Sequence, residues 1–255
     1  MRPLLIGHRG AASEAPENSM VALKLALELG AGALELDVRR SADGVLVVIH
    51  DPDLARTTRD RGRVSELTAA RIGRADLADA SDPGIPRWHQ PVRIPHLEEV
   101  FETFPGVEIT VDVKDPSAGQ DVVNLIERFG RESDTILYIE SGTETRAFRD
   151  YRGRRATSVG QAARLATDPS WLAEASEREV PEVVHTPLRH GGLDLVDSSF
   201  VQRVHESGRT IQVWTVDDPP TMEWLVDCGV DGIITNDVRA AVARFGRQGH
   251  HEEPR

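Results

Sequence analysis

The chain has 255 residues, of which 39% are hydrophobic and 28% charged, so it can form one large domain with a sizeable core, such as a (β/α)8 barrel. Its net charge of −12 argues against a partner such as nucleic acid, whose backbone is bound by cationic patches, and its single cysteine excludes an intrachain disulfide. No apolar stretch approaches the roughly 20 residues of a membrane helix. We therefore expect a cytoplasmic protein without stable membrane insertion, and composition leaves its oligomeric state open.

The chain begins with a strand–helix–strand pattern, which favours a parallel α/β architecture. Short apolar runs predict strands over 3–7, 33–38 and 45–50. Between the first two, a wide apolar stripe predicts a helix from Asn18, its N-cap, to Leu29.

The connection between Val38 and Val45 is unusual for a parallel sheet. It is too short for a helical crossover, since parallel strands need about a dozen or more residues between them. A hairpin would place His50 at the far end from Asp37. Because the chemistry described below requires both residues at one end, we expect an abbreviated crossover without a helix.

Residues 52–93 are irregular and charged, which predicts a long excursion from the barrel after its third strand. The alternation of strands and helices then resumes. Further strands are predicted over 107–113, 135–139, 155–159, 183–186, 210–216 and 232–235, and helices over 97–104, 120–129, 198–206 and 219–228. These make nine candidate strands where a barrel needs eight, the weakest being that near 155–159. We expect a single domain over 1–245 and a disordered polar tail over 246–255.

Two carboxylates lie close together on the second predicted strand. Glu35 and Asp37 are two positions apart, so both side chains project to the same face. Carboxylates this close repel each other when partly buried, and a divalent cation would resolve the repulsion. Oxygen ligands suit Mg²⁺ or Ca²⁺ better than zinc. The alternative is a solvent-facing acidic pair on an edge strand.

Asp112 and Lys114 share one face of a later β-branched strand in the same way. Asp112 is a candidate third oxygen ligand, and Lys114 would face an anion beside it. An ordinary salt bridge between barrel strands is the competing interpretation.

Two histidines end predicted strands beside these carboxylates. His8, followed by Arg9, ends the first strand, and His50 ends the third. A histidine pair suits general acid–base catalysis, and arginine offers a planar fork for phosphate. A lone histidine at a strand end is more often structural. Trp214 follows a strand towards the same end of the sheet and either walls a substrate pocket or fills core.

The remaining candidates have simpler interpretations. Asn18 is explained as a helix cap, and five other histidines follow no ligand spacing: His89, His96, His185, His190 and His205.

The combined motifs resemble those of the glycerophosphodiester phosphodiesterases. The resemblance rests on Ile6-Gly7-His8-Arg9-Gly10, Ala15-Pro16-Glu17-Asn18-Ser19, Leu34-Glu35-Leu36-Asp37-Val38, Val47-Val48-Ile49-His50-Asp51, Arg56-Thr57-Thr58, Ile94-Pro95-His96-Leu97-Glu98-Glu99, Val213-Trp214-Thr215-Val216 and the segment from Gly229 to Asn236. It covers nearly the whole chain, but is weak over 60–93 and 140–190. Asp112 stands where the family usually has glutamate, and Asp217 where asparagine is common.

The resemblance implies a TIM (β/α)8 barrel of the phospholipase C-like phosphodiesterase type. It also implies a divalent metal, Mg²⁺ or Ca²⁺, at the carboxyl ends of the strands, with Glu35, Asp37 and Asp112 as ligands. Arg9 and Lys114 would contact phosphate.

By the same resemblance, the expected activity is hydrolysis of a glycerophosphodiester, a small-molecule substrate, to sn-glycerol 3-phosphate and an alcohol. His8 would be the base and His50 the acid. The alternatives are a related phosphodiesterase or lyase acting on lysophospholipid or inositol-phosphate head groups, and a non-catalytic phosphate-binding barrel.

Overall fold

A computed structural model describes residues 2–80, 82–139, 146–168, 170–171 and 180–247. The strands are β1 (Leu4–His8), β2 (Ala33–Arg40), β3 (Leu46–Val48), β4 (Glu108–Val113), β5 (Thr135–Tyr138), β6 (Val183–Pro187), β7 (Arg189–His190), β8 (Leu193–Asp194), β9 (Thr210–Trp214) and β10 (Gly232–Thr235). The helices are α1 (Met20–Leu29), α2 (Ala69–Ile72), α3 (Leu97–Thr103), α4 (Gly119–Phe129), α5 (Arg146–Asp150), α6 (Val159–Thr167), α7 (Ser198–Glu206), α8 (Pro219–Cys228) and α9 (Val238–Phe245).

Seven strands form a curled parallel sheet in the order β5-β4-β2-β1-β10-β9-β6. Between its two ends, single parallel bridges join Leu137 to Arg155 and Ala156 to Val183. Residues 155–156 thus occupy the position of the eighth strand of a TIM-type barrel, and the expected fold class is confirmed. The weakest predicted strand, near 155–159, therefore does lie in the barrel wall, and the surplus strand is β3.

The connection after β2 is a hairpin, so the predicted abbreviated crossover is wrong. β3 pairs antiparallel with β2, with Val48 opposite Val38 and Leu46 opposite Arg40. β2 continues to Arg40, past the predicted end at Val38, and the turn lies beyond it. The returning strand therefore runs back towards the barrel, and the amide of Ile49 donates to the carbonyl of Asp37. A hairpin thus brings His50 beside Asp37, because its turn lies at the carboxyl end of β2.

β2 divides its side chains between two environments by the period-two alternation of a strand. Leu34, Leu36 and Val38 pack into a large apolar cluster shared with α1, α3 and α4. The alternate residues Glu35 and Asp37 are buried on the other face. The apolar residues therefore anchor the strand and hold both carboxylates inside the protein.

Helix α1 is capped by Ser19 and not by Asn18, so that prediction is wrong. The Ser19 hydroxyl accepts from the amide of Ala22, and Gly30 ends the helix in the left-handed region at φ 113°. Asn18 is itself left-handed, at φ 57°. It lies one residue before the cap, where its side chain is free to turn towards β2.

The excursion over 52–93 contains short helical segments and has a small core. Besides α2, it includes the 3-10 turns Val64–Glu66 and Leu77–Asp79. Leu54, Val64 and Ile72 pack against Val47 and Ile49, on and beside β3. The excursion is therefore attached to the hairpin that carries His50.

No helix within the described ranges is both long and apolar enough to cross a membrane. Of the predicted tail, only Gly246 and Arg247 are described, and the Arg247 guanidinium donates to the carbonyl of Glu28 at 2.6 Å. The rest of the predicted tail, 248–255, lies outside the described residues.

Candidate active site

The strand register brings the candidate residues to one end of the barrel. His8 of β1 is the neighbour of Glu35 in β2, and Asp37 is the neighbour of Asp112 in β4. All lie at or near the carboxyl ends of their strands, where barrels of this type hold their sites. One cavity of about 140 Å³ is lined by His8, Arg9, Glu35, Asp37, His50, Asp112, Lys114, Tyr138, His185, Trp214, Thr215 and Ile234. Every site residue predicted from the sequence therefore lines this cavity.

Three buried carboxylates form the centre of the site. One oxygen from each of Glu35, Asp37 and Asp112 lies within 4.8 Å of the others. The Oδ1 atom of Asp112 is buried and has no hydrogen-bond partner among the described residues. Since burial of an unpaired acceptor is costly, this atom fits a cation as its missing partner. The three side chains could therefore hold a divalent metal ion.

Two cations partly balance this cluster. The Nζ atom of Lys114 lies 2.6 Å from Oδ2 of Asp112 and 3.3 Å from Oδ1 of Asp37, and the Arg9 Nε atom lies 3.0 Å from Oδ2 of Asp37. Burial would raise the pKa of Asp37, but Arg9 and Lys114 outweigh it and lower that pKa. Burial and repulsion from Asp37 raise the pKa of Glu35 to about 8. Two monovalent cations thus leave the cluster short of positive charge.

His8 is oriented by two polar residues that follow the last two strands of the barrel. Its Nδ1 atom lies 2.7 Å from Oδ1 of Asn236. The Asn236 amide group donates from Nδ2 to Asp217 at 2.8 Å, so its oxygen is left to face His8. Burial, and then the charge of Arg9, lower the pKa of His8. The lowered pKa favours the neutral ring, and the amide oxygen beside Nδ1 favours the tautomer that carries its proton there.

His50 has a charged partner instead. Its Nδ1 atom lies 2.6 Å from Oδ1 of Asp51, and both Asp51 oxygens accept from Arg56. Burial lowers the pKa of His50, while Asp37 and Asp51 act to raise it. Both histidines thus use Nδ1 for a structural contact, which leaves Nε2 of each ring for chemistry.

Asn18 is a site residue that the sequence interpretation missed. Its Nδ2 atom donates to Oδ2 of Asp37 at 2.7 Å, and its Oδ1 atom accepts from the Asp37 backbone amide at 3.1 Å. The two residues share a loop-to-strand contact that fixes the Asp37 carboxylate. Two non-glycine residues in the described chain have a positive φ: Asn18, at 57°, and Arg9, at 54°. Such conformations concentrate at functional sites.

An aromatic wall closes one side of the cavity and includes His185, which the sequence did not single out. The rings of Tyr138 and His185 are stacked with centroids 4.2 Å apart, and Trp214 lies edge-on to Tyr138 at 6.2 Å. Burial, and then the charges of His8 and Lys114, lower the pKa of His185 to about 3. His185 is thus a neutral packing group here. Trp214 lines the cavity and also packs against buried apolar clusters, so the structure has features of both of its interpretations.

A second, larger cavity of about 510 Å³ shares residues with the first. Asp112, Lys114 and Trp214 line both, and the wider cavity continues past Val159, Pro187, Arg189 and His190. The carboxylate cluster therefore has room beside it for a group larger than a phosphate.

Comparison with known proteins agrees with this architecture. The model of the glycerophosphoryl diester phosphodiesterase family matches residues 8–240. A probable glycerophosphodiester phosphodiesterase 2 of Mycobacterium tuberculosis is 33% identical over 245 residues, covering 91% of this chain and 87% of the relative. A glycerophosphodiester phosphodiesterase of Caldanaerobacter subterraneus is 30% identical, covering 93% and 95%. The crystal structure of glycerophosphodiester phosphodiesterase from Agrobacterium tumefaciens, 27% identical, has a TM-score of 0.72 over 95% of this chain and 100% of that one.

Proposed function

Because the chain belongs to the glycerophosphoryl diester phosphodiesterase family and resembles named phosphodiesterases over most of its length, we propose that it hydrolyses glycerophosphodiesters by metal-dependent His/His acid–base catalysis. The products are sn-glycerol 3-phosphate and an alcohol. The observation that carries the proposal is the lining of one cavity by two histidines, a cluster of three carboxylates and two cations.

Glu35, Asp37 and Asp112 would hold the metal, Mg²⁺ or Ca²⁺, since the cluster offers only oxygen ligands. When bound, the ion would supply Lewis-acid polarisation of the phosphoryl oxygens and a template for the substrate. Asn18 and Arg9 hold the Asp37 carboxylate in place from two other sides. The aspartate at 112 has a shorter side chain than the family's usual glutamate, and the ligand it would offer is Oδ1, which has no hydrogen-bond partner within the described part of the chain.

His8 acts as the general base. Its Nδ1 proton is used in the contact with Asn236, so the lone pair on Nε2 is available to the cavity. The low pKa caused by burial and Arg9 keeps this ring neutral, as a base must be. His8 removes the proton from the glycerol 2-hydroxyl, whose oxygen attacks phosphorus.

His50 acts as the general acid. Its Nδ1 atom faces the Asp51 carboxylate, and a carboxylate partner stabilises the imidazolium form more than an amide does. Its Nε2 proton passes to the oxygen of the departing alcohol. Water then opens the resulting cyclic phosphate, with the two histidines in reversed roles.

Arg9 and Lys114 offset the charge on the phosphoryl oxygens. Both are already fixed by carboxylates of the site, so little reorganisation is required when the phosphate arrives. Such preorganised charge is commonly the largest contribution to catalysis. Trp214 packs against the substrate at the boundary between the two cavities.

A turnover assay tests this function. The protein is treated with EDTA and assayed with glycerophosphocholine and glycerophosphoethanolamine, with Mg²⁺ or Ca²⁺ then added back. We expect no turnover after chelation, recovery with one of the metals, and sn-glycerol 3-phosphate as product. A stable cyclic phosphate would instead indicate a lyase, and binding without any product would indicate a phosphate-binding barrel. Either result contradicts the proposal.

A further inference from the structure

Arg56, at the start of the excursion, binds two carboxylates at once. Its Nε and Nη2 atoms donate to Oδ2 and Oδ1 of Asp51 at 2.7 and 3.1 Å. Its Nη1 and Nη2 atoms donate to Oε2 and Oε1 of Glu17 at 2.8 and 2.7 Å. All three guanidinium nitrogens are therefore used, in two bidentate pairs. Lysine has no planar fork with which to reproduce this geometry.

Each of these carboxylates contacts one of the proposed functional side chains. Asp51 faces Nδ1 of His50 at 2.6 Å, and Glu17 accepts from Nη1 of Arg9 at 2.9 Å. Arg9 in turn contacts Asp37. Charges of alternating sign thus run from the general acid through Arg56 to the phosphate-binding arginine.

The chain of contacts is well enclosed. Glu17 is 9% exposed, and the side chain of Arg56 is 30% exposed. Burial would raise the pKa of Glu17, but its bonds to Arg56 and Arg9 lower that pKa, so it stays ionised. Ion pairs with charge-assisted hydrogen bonds at this depth are stronger than surface pairs and more directional.

We propose that Arg56 is a positioning residue that holds the general acid His50 and the phosphate-binding Arg9 in one geometry. The inference rests on the proposed function. Through Asp51, Arg56 fixes the His50 ring; through Glu17, it fixes the Arg9 guanidinium. Without Arg56, Asp51 and Glu17 lose their common partner. The contact of Asp51 with His50 and the contact of Glu17 with Arg9 therefore loosen together. Arg56 is separated from His50 by Asp51 and from Arg9 by Glu17, so it acts on the substrate only through these side chains.

This role predicts a dependence on the leaving group. A general acid assists the departure of an alkoxide such as that of ethanolamine, whereas p-nitrophenolate leaves without a proton. Displacement of His50 therefore slows release of the leaving group from the first kind of substrate far more than from the second, whereas the later opening of the cyclic phosphate is the same step for both. Loosening of Arg9 weakens phosphate binding and so raises KM for both.

The experiment compares Arg56→Gln with wild type on glycerophosphoethanolamine and on the p-nitrophenyl ester of glycerol 3-phosphate. Since a positioned acid contributes about 10²–10⁴-fold, we expect the single-turnover rate constant for release of the leaving group to fall at least about 10-fold on the first ester and less than about 3-fold on the second. KM should rise on both. The ratio of these two rate constants does not depend on how much protein is folded, so the comparison remains valid if Arg56→Gln is less stable. Arg56→Lys should show the same change in ratio.

Arg61→Gln is the matched control, because Arg61 lies in the same excursion and, among the described residues, its hydrogen bonds go to the carbonyls of Ala55 and Asp60. It should leave the ratio unchanged. In a double-mutant cycle, Asp51→Asn with Arg56→Gln should change the ratio no more than Asp51→Asn alone. An unchanged ratio in Arg56→Gln, or multiplicative effects in the cycle, would overturn this inference while the wild type remains active. A wild type inactive on both esters would overturn the proposed function and this inference with it.

Discussion

The Nδ1 atom of His8 lies 2.7 Å from the Oδ1 atom of Asn236, although 228 positions separate the two residues in sequence. The contact joins the first barrel strand to the residue after the last one, because β1 and β10 are neighbours in the sheet. Asp217 accepts from both the backbone amide and the side-chain amide of Asn236. The closing of the barrel therefore orients the ring of the proposed base.

We expect Asn236→Ala to lower kcat about 10- to 100-fold, an effect of the size usual when the hydrogen-bond partner that orients an active-site side chain is removed. The ring of His8 would lose the acceptor that keeps its proton on Nδ1, while KM should change little because Asn236 does not line the cavity. Steady-state kinetics provide the measurement. Asn124→Ala, on the exposed face of α4, is the control and should have wild-type kinetics. Equal kinetics for the two variants would contradict the assigned role.

His8→Ala and His50→Ala should each lower turnover at least about 100-fold while metal binding is retained, because each removes one proton-transfer group and none of the three carboxylates. Turnover on glycerophosphoethanolamine and calorimetric metal titration are measured on the same preparations. His89→Ala, in the excursion and outside the cavity, is the control. Near-normal turnover in either site variant would reject its catalytic role.

The barrel and most of the site follow from local pattern. The predicted bounds of α7, α8 and β10 agree with the structure, because each is a short apolar or amphipathic segment between clear end signals. The alternation in β2 likewise predicted that Glu35 and Asp37 share a face. Patterns of this kind depend only on how apolar residues repeat along a single strand or helix.

Local pattern could not predict the direction of β3 or the contacts between residues that are far apart in sequence. The sequence between Val38 and Val45 permits a hairpin or a short crossover, and the choice depends on how far β2 extends past the barrel before it turns. Asn18 resembled a cap because its bond to Asp37 depends on the left-handed backbone at that position. His185 gave no signal, since its role is to stack on Tyr138 from a different strand.

Removal of one carboxylate charge from the cluster should weaken metal binding. We expect Asp112→Asn to lower metal affinity at least about 10-fold, roughly 1.4 kcal/mol, and Asp112→Glu, which keeps the charge, to retain more of it. At a metal concentration about 100-fold above Kd, the wild type should gain about 2.7 kcal/mol of stability after chelator treatment and add-back. Calorimetric titration and thermal unfolding measure the two effects.

Glu98→Gln is the matched control for the metal experiment, because Glu98 pairs with Arg128 away from the cluster. It should bind metal as the wild type does. Asp112→Asn with unchanged affinity would show that Asp112 is not a ligand.

His185 should make the fold less stable as the pH falls. Burial lowers its pKa to about 3, whereas in the unfolded chain the ring has an ordinary pKa of about 6.5. Between these values the unfolded state binds a proton that the folded state does not, so His185 destabilises the fold by about 1.4 kcal/mol for each pH unit below about 6. The contribution is absent above pH 7 or so, where both states are neutral.

His185→Gln removes this titration, so the difference in unfolding free energy between wild type and variant should shift in favour of the variant as the pH is lowered from about 7 to about 5. Chemical denaturation at several pH values measures the difference, and all groups common to both proteins cancel in it. NMR of the ring should show no titration of His185 in the folded wild type above about pH 4. A His185 resonance that titrates near its ordinary pKa, with no pH-dependent difference between the proteins, would show that the ring is accessible to protons. The stacked aromatic wall would then be open to water.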